Sequence, residues 1–387
     1  MTPTDWLATQ HDAMVALLRD LVDQDSGSYD KPGIDRVGAS LARFFATHGI
    51  PVETLPQSRH GDCLRATLLP PDEPGANRGG HVLLLGHRDT VFPNGEASAR
   101  PFAIADGRAY GPGVADMKAG LVMNAFVLAA FAQDGGPPLP LTALFTGDEE
   151  IGSPEGRPVI EDHARSARAV LNSEPGRPSG AVVTARKGGV FMVVRITGRA
   201  AHSGGNFEHG ISAIEELARK IQALHALTDL SRGITLNVGL VSGGQSVNTV
   251  APWAEAQVDF RYIEAADRDD IMARIAAIVE RAGVLGTSAT LEIRGEFVPL
   301  TQSPAAKRLF DAYAEAARID GLDITGEFAG GCADSGFTAA MGAPTLCAVG
   351  PVGGKAHTPD EYLELGTLVP RAQACARTIL SLQRVGL

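Results

Sequence analysis

Cysteine is scarce in this chain. Its 387 residues hold four, Cys63, Cys332, Cys347 and Cys375, and no two form a Cys-x-x-Cys pair. That spacing excludes a zinc finger and a disulfide framework, so buried or neutral thiols are expected. Cys332 lies in a glycine-rich stretch but has no catalytic-cysteine signature around it. A Gly-x-Ser-x-Gly elbow is missing too, which leaves serine and cysteine hydrolase chemistry without support. Positive charge is short: 34 Lys and Arg face 45 Asp and Glu, for a formal net charge of −11. Phosphate binding needs a basic face, so nucleic acid is not an expected partner. An anionic small substrate stays possible, because a pocket can be locally basic inside an acidic protein. The longest apolar-leaning run, residues 121–132, is too short to span a bilayer. The N-terminus lacks the basic stretch and apolar core of a signal peptide. The expectation is a cytoplasmic protein with no membrane partner.

What is present points to an ordinary globular protein, with 44% hydrophobic and 20% charged residues. Its length favours two domains. Helical spacing of apolar residues predicts helices over 5–23, 33–48, 117–132 and 363–384. Between them stand short, continuous aliphatic runs. Val82-Leu83-Leu84-Leu85, Leu141-Thr142-Ala143-Leu144-Phe145-Thr146, Ala169-Val170-Leu171-Asn172 and Pro344-Thr345-Leu346-Cys347-Ala348-Val349 read as strands buried on both faces of an α/β sheet. The middle of the chain differs. Its strands mix polar and apolar positions, and the order strand, helix, strand, strand, helix, strand is that of a ferredoxin-like α+β sandwich. The predicted organisation is a discontinuous mixed-sheet α/β catalytic domain of residues 1–187 and 298–387, with helices on both faces, and an inserted domain of 188–297.

The ends of the aliphatic runs carry the chemistry. In open α/β sheets the active site lies beyond the carboxyl ends of the strands. Here those ends hold His87 and Asp89, then Glu149 and Glu150, then Glu174, while the last run leads through a glycine-rich loop to His357. Asp116 closes the glycine-rich turn Tyr110-Gly111-Pro112-Gly113-Val114-Ala115-Asp116. Zinc takes imidazole nitrogen and carboxylate oxygen, and paired metals share a bridging carboxylate. His87 and Asp89 are two apart on extended chain, so their side chains point to one side and Asp89 can fix the tautomer of His87. Adjacent Glu149 and Glu150 can divide their work, one on metal and one on the proton. A lone histidine is more often a structural residue than a ligand. Two like charges after a buried strand are costly without compensation, and a dication supplies it.

The motifs resemble those of the M20 metallopeptidases. Gly86-His87-Arg88-Asp89-Thr90-Val91, Gly111-Pro112-Gly113-Val114-Ala115-Asp116-Met117-Lys118-Ala119-Gly120 and Asp148-Glu149-Glu150-Ile151-Gly152-Ser153 follow the family order. So do Leu171-Asn172-Ser173-Glu174-Pro175, Ile196-Thr197-Gly198-Arg199-Ala200-Ala201-His202-Ser203-Gly204, Gly330-Gly331-Cys332-Ala333-Asp334-Ser335 and the region of His357. The nearest branch is that of bacterial glutamate carboxypeptidases of the carboxypeptidase G2 type. The resemblance implies two zinc ions, with cobalt or manganese as alternatives. His87 and Glu174 hold one, Glu150 and His357 hold the other, and Asp116 bridges. It makes Glu149 the general base and Asp89 the partner of His87. It makes the inserted domain a lid and the interface of a homodimer, with His202 reaching the partner's substrate carbonyl. Asn248 and Arg261 match substrate-binding positions.

Taken alone, His202 reads as a turn residue, and Arg261 and Arg294 as ordinary strand arginines. Family members with Glu at the position of Glu174 resemble carboxypeptidases and deacylases. An N-acyl amino acid or a peptide with a free C-terminal carboxylate is therefore the expected substrate, with Arg261 and Arg294 as carboxylate-binding candidates. Three departures from the glutamate carboxypeptidase pattern add positive charge near the site: Arg88, Arg186-Lys187-Gly188 and Lys355. Alternatives on the same fold are a dipeptidase, an aminoacylase or an amidohydrolase for another small amide. A non-catalytic M20-like binding protein is the alternative from another class, and the intact Glu149 and five ligand positions oppose it.

Overall fold

The four aliphatic runs lie side by side. Strands Leu141–Thr146, His81–His87, Ala167–Asn172 and Thr345–Cys347 are neighbours in that order, and each pair within the four is parallel. This computed structural model describes residues 1–71 and 79–387. The sheet has eight strands: Val52–Leu55 and Cys63–Leu68 extend it antiparallel on one side. On the other side follow Val182–Arg186 and then Gly326–Ala329. It is a mixed sheet with a parallel centre.

Alternation along the strands shows that both faces are covered. Val82 and Leu84 join the largest apolar cluster together with the helices Ala119–Gln133 and Leu368–Ser381. Leu83 and Leu85 are equally buried but point to the opposite face, as period-2 geometry requires. Helix Ala119–Gln133 has no polar stripe, since every residue from Ala119 to Phe131 is buried. The stretch Val114–Gln133 is long and apolar enough to cross a membrane, which the sequence reading of 121–132 understated; 94% of its most apolar window is buried within the protein.

The chain divides into two compact units. The first is Met1–Arg186, Leu300–Ala329 and Ala333–Leu387, and the second is Lys187–Pro299 with Gly330–Cys332. The second contains strand Gly188–Thr197, helix Ala213–His225, strands Thr235–Gly243 and Trp253–Tyr262, helix Ala265–Glu280 and strand Ser288–Phe297. Its four strands pair antiparallel in the spatial order second, third, first, fourth, which is the ferredoxin-like arrangement. On strand Trp253–Tyr262 the residues Ala254, Ala256, Val258, Phe260 and Tyr262 enter the core under the helices. The alternate positions Glu255, Gln257, Asp259 and Arg261 take the other face.

Several elements depart from the sequence reading. The opening helix is two, Pro3–Ala8 and His11–Val22, because the first ends at Thr9. The last helix starts at Leu368, and residues 362–364 form a short strand instead. That strand, Tyr362–Glu364, belongs to a small antiparallel sheet with Gly353–Gly354, Arg108–Tyr110 and Ala103–Ala105. The sheet brings the segment after Tyr110 against the segment around residue 357.

Candidate metal centre

Each candidate ligand in the first unit sits where a strand hands over to a loop. His87 is the last residue of its strand, and Glu149 opens a single helical turn three residues after the end of strand Leu141–Thr146. Asp148 shapes that turn by accepting the amide protons of Glu155 and Gly156 at 2.7 and 2.9 Å. Glu174 follows strand Ala167–Asn172 on a segment gripped by two glycines. A Cβ on Gly120 would lie 2.0 Å from the Ser173 carbonyl oxygen, and one on Gly350 2.4 Å from it, so only glycine admits this approach.

The side chains converge. His87 Nε2 lies 3.3 Å from Asp116 Oδ1 and 3.7 Å from Glu174 Oε1. His357 Nε2 lies 3.3 Å from Asp116 Oδ2 and 3.2 Å from Glu150 Oε2. Asp116 therefore turns one oxygen toward each imidazole. Two groups result, His87 with Asp116 and Glu174, and Asp116 with Glu150 and His357, each with donor atoms within 4.8 Å of one another. Four side-chain atoms of these residues are buried without a hydrogen-bond partner among the described residues: His87 Nε2, Asp116 Oδ1, Glu150 Oε1 and Glu174 Oε1. Buried donors and acceptors are seldom left unmade, because desolvation is then uncompensated. Imidazole nitrogen with carboxylate oxygen is a donor set that fits a divalent cation such as zinc.

The electrostatics describe the same need. Burial above all, with the charges of Glu174 and Glu150, pushes the Glu149 carboxyl well above its usual range despite His87. Burial and the charge of Asp116 raise Glu150 to about 7 and also raise Glu174. Asp116 goes the other way in spite of its burial, held down by His357 and His87. Asp116 and Glu150 together raise His357 to about 10. The cluster keeps protons to offset its own negative charge, and a bound cation would replace them.

Asp89 supports the centre from behind. His87 Nδ1 is 3.0 Å from the Asp89 carbonyl oxygen and 3.3 Å from its carboxylate, which leaves Nε2 to face the cluster. The carboxylate also accepts from the Glu149 and Glu150 amides, each at 3.1 Å, and from Ser28 Oγ at 2.7 Å. One buried carboxylate thus orients the histidine and the acidic turn together. Asp334 precedes helix Ser335–Ala340 without capping it through its side chain, and accepts from Ser153 Oγ at 2.5 Å.

Glu361 escaped the sequence reading. It is fully buried, and its two oxygens accept the amide protons of Gly113, Ala115 and Asp116, each at 2.9 Å. It ties the loop of His357 to the loop of Asp116. Its place four residues after His357 was the available signal. Ser28 had none, since its partner is 61 positions away.

The three positive departures divide. Arg88 does not face the cluster. It is buried, donates to the carbonyl oxygens of Thr146, Ile34 and Asp62, and leaves no room for a side chain at position 38. As the residue between His87 and Asp89 on extended chain it points the opposite way. Lys355 is exposed and pairs with Asp360 at 3.3 Å. Arg186 is buried, donates through Nε to Cys347 Sγ at 3.2 Å, and stays charged against the cost of burial because Cys347, Glu174 and Glu149 favour it.

His202, Asn248, Arg261 and Arg294 belong to the second unit. The Ser203 amide donates to the Asn248 carbonyl at 3.0 Å, so His202 and Asn248 are brought together there. His202 Nδ1 accepts from the amides of Gly204 and Gly205 at 3.1 and 3.0 Å, which leaves the neutral ring its proton on exposed Nε2. Arg261 donates to Asp259 at 2.7 Å and to Cys332 Sγ at 2.8 Å, over the ring of Phe191. Arg294 is exposed beside Glu292 at 3.0 Å. None of the four cysteines is in a disulfide.

Residues 83–381 match the family model of Peptidase family M20/M25/M40. The chain is 27% identical over 384 residues to carboxypeptidase G2 of Pseudomonas sp. (strain RS-16), covering 96% of this chain and 89% of the relative. It is 29% identical over 366 residues to acetylornithine deacetylase of Proteus mirabilis (strain HI4320), covering 88% of each. Its fold resembles that of an M20 family metallo-carboxypeptidase from Sulfolobus solfataricus, with a TM-score of 0.78 at 18% identity over 95% of this chain and 98% of that one.

Proposed function

The chain is a hydrolase of Peptidase family M20/M25/M40, and from that premise we propose that it holds two zinc ions and cuts the amide bond of N-acyl amino acids or of peptides with a free C-terminal carboxylate, as a glutamate carboxypeptidase does. The observation that supports this reading is the pair of ligand groups sharing Asp116, with buried donors that lack partners. His87 and Glu174 would hold one ion, Glu150 and His357 the other, and Asp116 both. Cobalt or manganese suits the same donors. When bound, the cations supply carbonyl polarisation and a lowered water pKa.

The chain's own groups do the rest. Glu149 takes the proton of the attacking water and returns it to the leaving nitrogen. Asp89 fixes the tautomer of His87 and the position of the acidic turn. The second unit acts as lid and dimer interface, and His202 of the partner subunit donates to the carbonyl oxygen through Nε2. Asn248, Arg261 and Arg294 bind the substrate. The protein works in the cytoplasm. A deacylase for small N-acyl amino acids is the second reading, favoured by the comparable identity to acetylornithine deacetylase. The test is metal analysis followed by mass-spectrometric release of amino acids from a panel of N-acyl amino acids and dipeptides. Release of Glu or Asp alone fits the carboxypeptidase; other amino acids move it to the deacylase or dipeptidase branch; no release with metal bound overturns both.

Two substitutions probe the assignments. Arg261→Ala is expected to raise KM for carboxylate-bearing substrates roughly tenfold or more, and to do much less to their carboxamides. Equal effects on both would take Arg261 out of carboxylate recognition. Glu361→Gln presents an amide where three N–H donors need acceptors, and should weaken metal binding about 10–100-fold in competition with a chromogenic chelator. Unchanged affinity would confine Glu361 to loop packing.

A further inference from the structure

The motif Gly330-Gly331-Cys332-Ala333-Asp334-Ser335 holds a buried acid, Asp334, to which the chemistry above gives no part. Asp334 stands between strand Gly326–Ala329 and helix Ser335–Ala340, and its side chain leaves the helix start uncapped. It meets instead the segment that carries Glu149 and Glu150. Ser153 Oγ donates to Asp334 Oδ1 at 2.5 Å, and Thr146 Oγ1 lies 3.5 Å from Asp334 Oδ2. Thr146 ends strand Leu141–Thr146, while Ser153 follows the turn Glu149–Ile151 and Gly152. One carboxyl therefore touches both ends of the acidic turn, with Ser153 the short contact and Thr146 the long one. Both hydroxyl residues are fully buried, and a hydrogen bond in such surroundings is stronger than one in water.

The turn needs such a clasp. Gly152 and Ser153 both adopt left-handed backbone, with φ of 91° and 52°. Glycine takes that region freely, whereas serine is uncommon there. The backbone holds Ser153 in part, since its amide donates to the Asp148 carbonyl at 2.8 Å. Its hydroxyl adds the bond to Asp334. Helix Ser335–Ala340 also grips the element that follows the turn, because the Arg157 guanidinium of helix Gly156–Ala164 lies 4.8 Å over the ring of Phe337. Burial raises the Asp334 carboxyl to about 8 against the pull of the Ser153 hydrogen bond, and the charge of Asp148 adds to the rise. A carboxyl that keeps its proton can donate as well as accept, which suits a clasp between two hydroxyls.

We infer that Asp334 is a positioning residue: by holding Ser153 and Thr146 together it sets where Glu149 and Glu150 reach, and it acts through that turn. Its effect on turnover rests on the hydrolysis proposed above, while the clasp itself is measured without it. Asp334→Ala removes the clasp and is expected to lower kcat roughly 10–100-fold with KM within about threefold, because a displaced base costs the chemical step and leaves substrate docking alone. Asp334→Asn presents an acceptor to Ser153 and a donor to Thr146, and should bring kcat back to within about threefold of the wild type.

The test joins those kinetics to peptide-level hydrogen exchange over residues 147–153 of the metal-loaded protein. Exchange there should quicken roughly tenfold or more in Asp334→Ala and stay near that of the wild type in Asp334→Asn. Ser153→Ala breaks the short contact at the loss of one oxygen, so it serves even if Asp334→Ala does not fold. It should quicken exchange over the same residues and lower kcat roughly tenfold. The double variant Asp334→Ala/Ser153→Ala should lose no more than Asp334→Ala alone, since one bond joins the two side chains. Asp334→Asn as slow as Asp334→Ala would make charge the cause, and a loss carried by KM would make it substrate binding; either overturns the inference. Exchange over 147–153 that neither alanine variant moves overturns it as well. Where the wild type cuts no amide, quickened exchange in the alanine variants alone keeps the clasp, and the hydrolysis reading falls.

Discussion

Glu149→Gln is expected to lower kcat by roughly 10²–10⁴-fold while the metal content stays that of the unmodified protein. Glutamine keeps the size of the side chain and the amide that donates to Asp89 Oδ1 at 3.1 Å. It loses only the ability to take a proton. Glu149 is suited to that task because burial first, then the charges of Glu174 and Glu150, lift its carboxyl well above the ordinary range. A carboxylate of raised pKa takes the proton from water more readily than an ordinary one, and it stays protonated near neutral pH, so the proton is there to be delivered to the leaving nitrogen. Single-turnover kinetics and metal analysis of the same preparation decide the matter. Activity within about tenfold of the wild type would move the base elsewhere, and loss of metal would make Glu149 a ligand.

Stripping the metal with a chelator is expected to abolish turnover and to lower the melting temperature, with recovery when zinc is returned. A ligand at about one hundred times its Kd stabilises the folded state by about 2.7 kcal/mol per site. The stability of the metal-free protein should also depend on pH in a set direction. Glu149, Glu150 and Glu174 have folded pKa values above those of the unfolded chain, with Glu150 at about 7. Between about pH 5 and 7 the folded state then binds more protons than the unfolded one, and stability falls as pH rises. His357, raised to about 10, adds stability below its unfolded value that is lost as pH climbs toward 10, which is the same direction. Asp116 and Asp89, both lowered, contribute stability already complete above pH 5. Metal binding displaces the retained protons and strengthens with pH. The gap between loaded and stripped melting temperatures should therefore widen from pH 6 to pH 8. A constant gap would mean that the cations displace no protons, and that these carboxylates are not their ligands.

The parallel centre of the sheet was legible because such strands are buried on both faces and cannot hide polar residues. Leu83 and Leu85 are as apolar as Val82 and Leu84, and the first polar residue after them, His87, is where the strand ends. The flanking strands Cys63–Leu68 and Gly326–Ala329 were not legible. They alternate, they are short, and Arg65 or Glu327 breaks the run. The break between Pro3–Ala8 and His11–Val22 was invisible for another reason: Leu7 and Met14 are both buried, seven residues apart, and that spacing reads the same across a turn. Arg88 shows the limit for the site. Sequence places it beside two functional residues, but only tertiary structure shows that its guanidinium is committed to three backbone carbonyls, two of them from segments 26 and 54 positions away. Glu361 and Ser28 act through partners at similar or greater separations. Both residue types are common in loops; nothing local marks Ser28, and Glu361 offers only its place four residues after His357.

The two ligand groups are also finished at different moments in the making of the chain. His87, Asp116 and Glu174 all precede the second unit, so a ribosome has emitted that whole set before the inserted strands appear. The other group waits for His357, and the Glu361 that steadies Asp116 arrives four residues later. Synthesis runs from the N-terminus at a rate that lets early segments begin to fold first. One position of the centre can thus be assembled from the early part of the chain, while the other records that the late part has docked. Metal occupancy of the proposed His357 position would in that sense be a proofreading mark: a chain that carried it would have closed its fold from both ends.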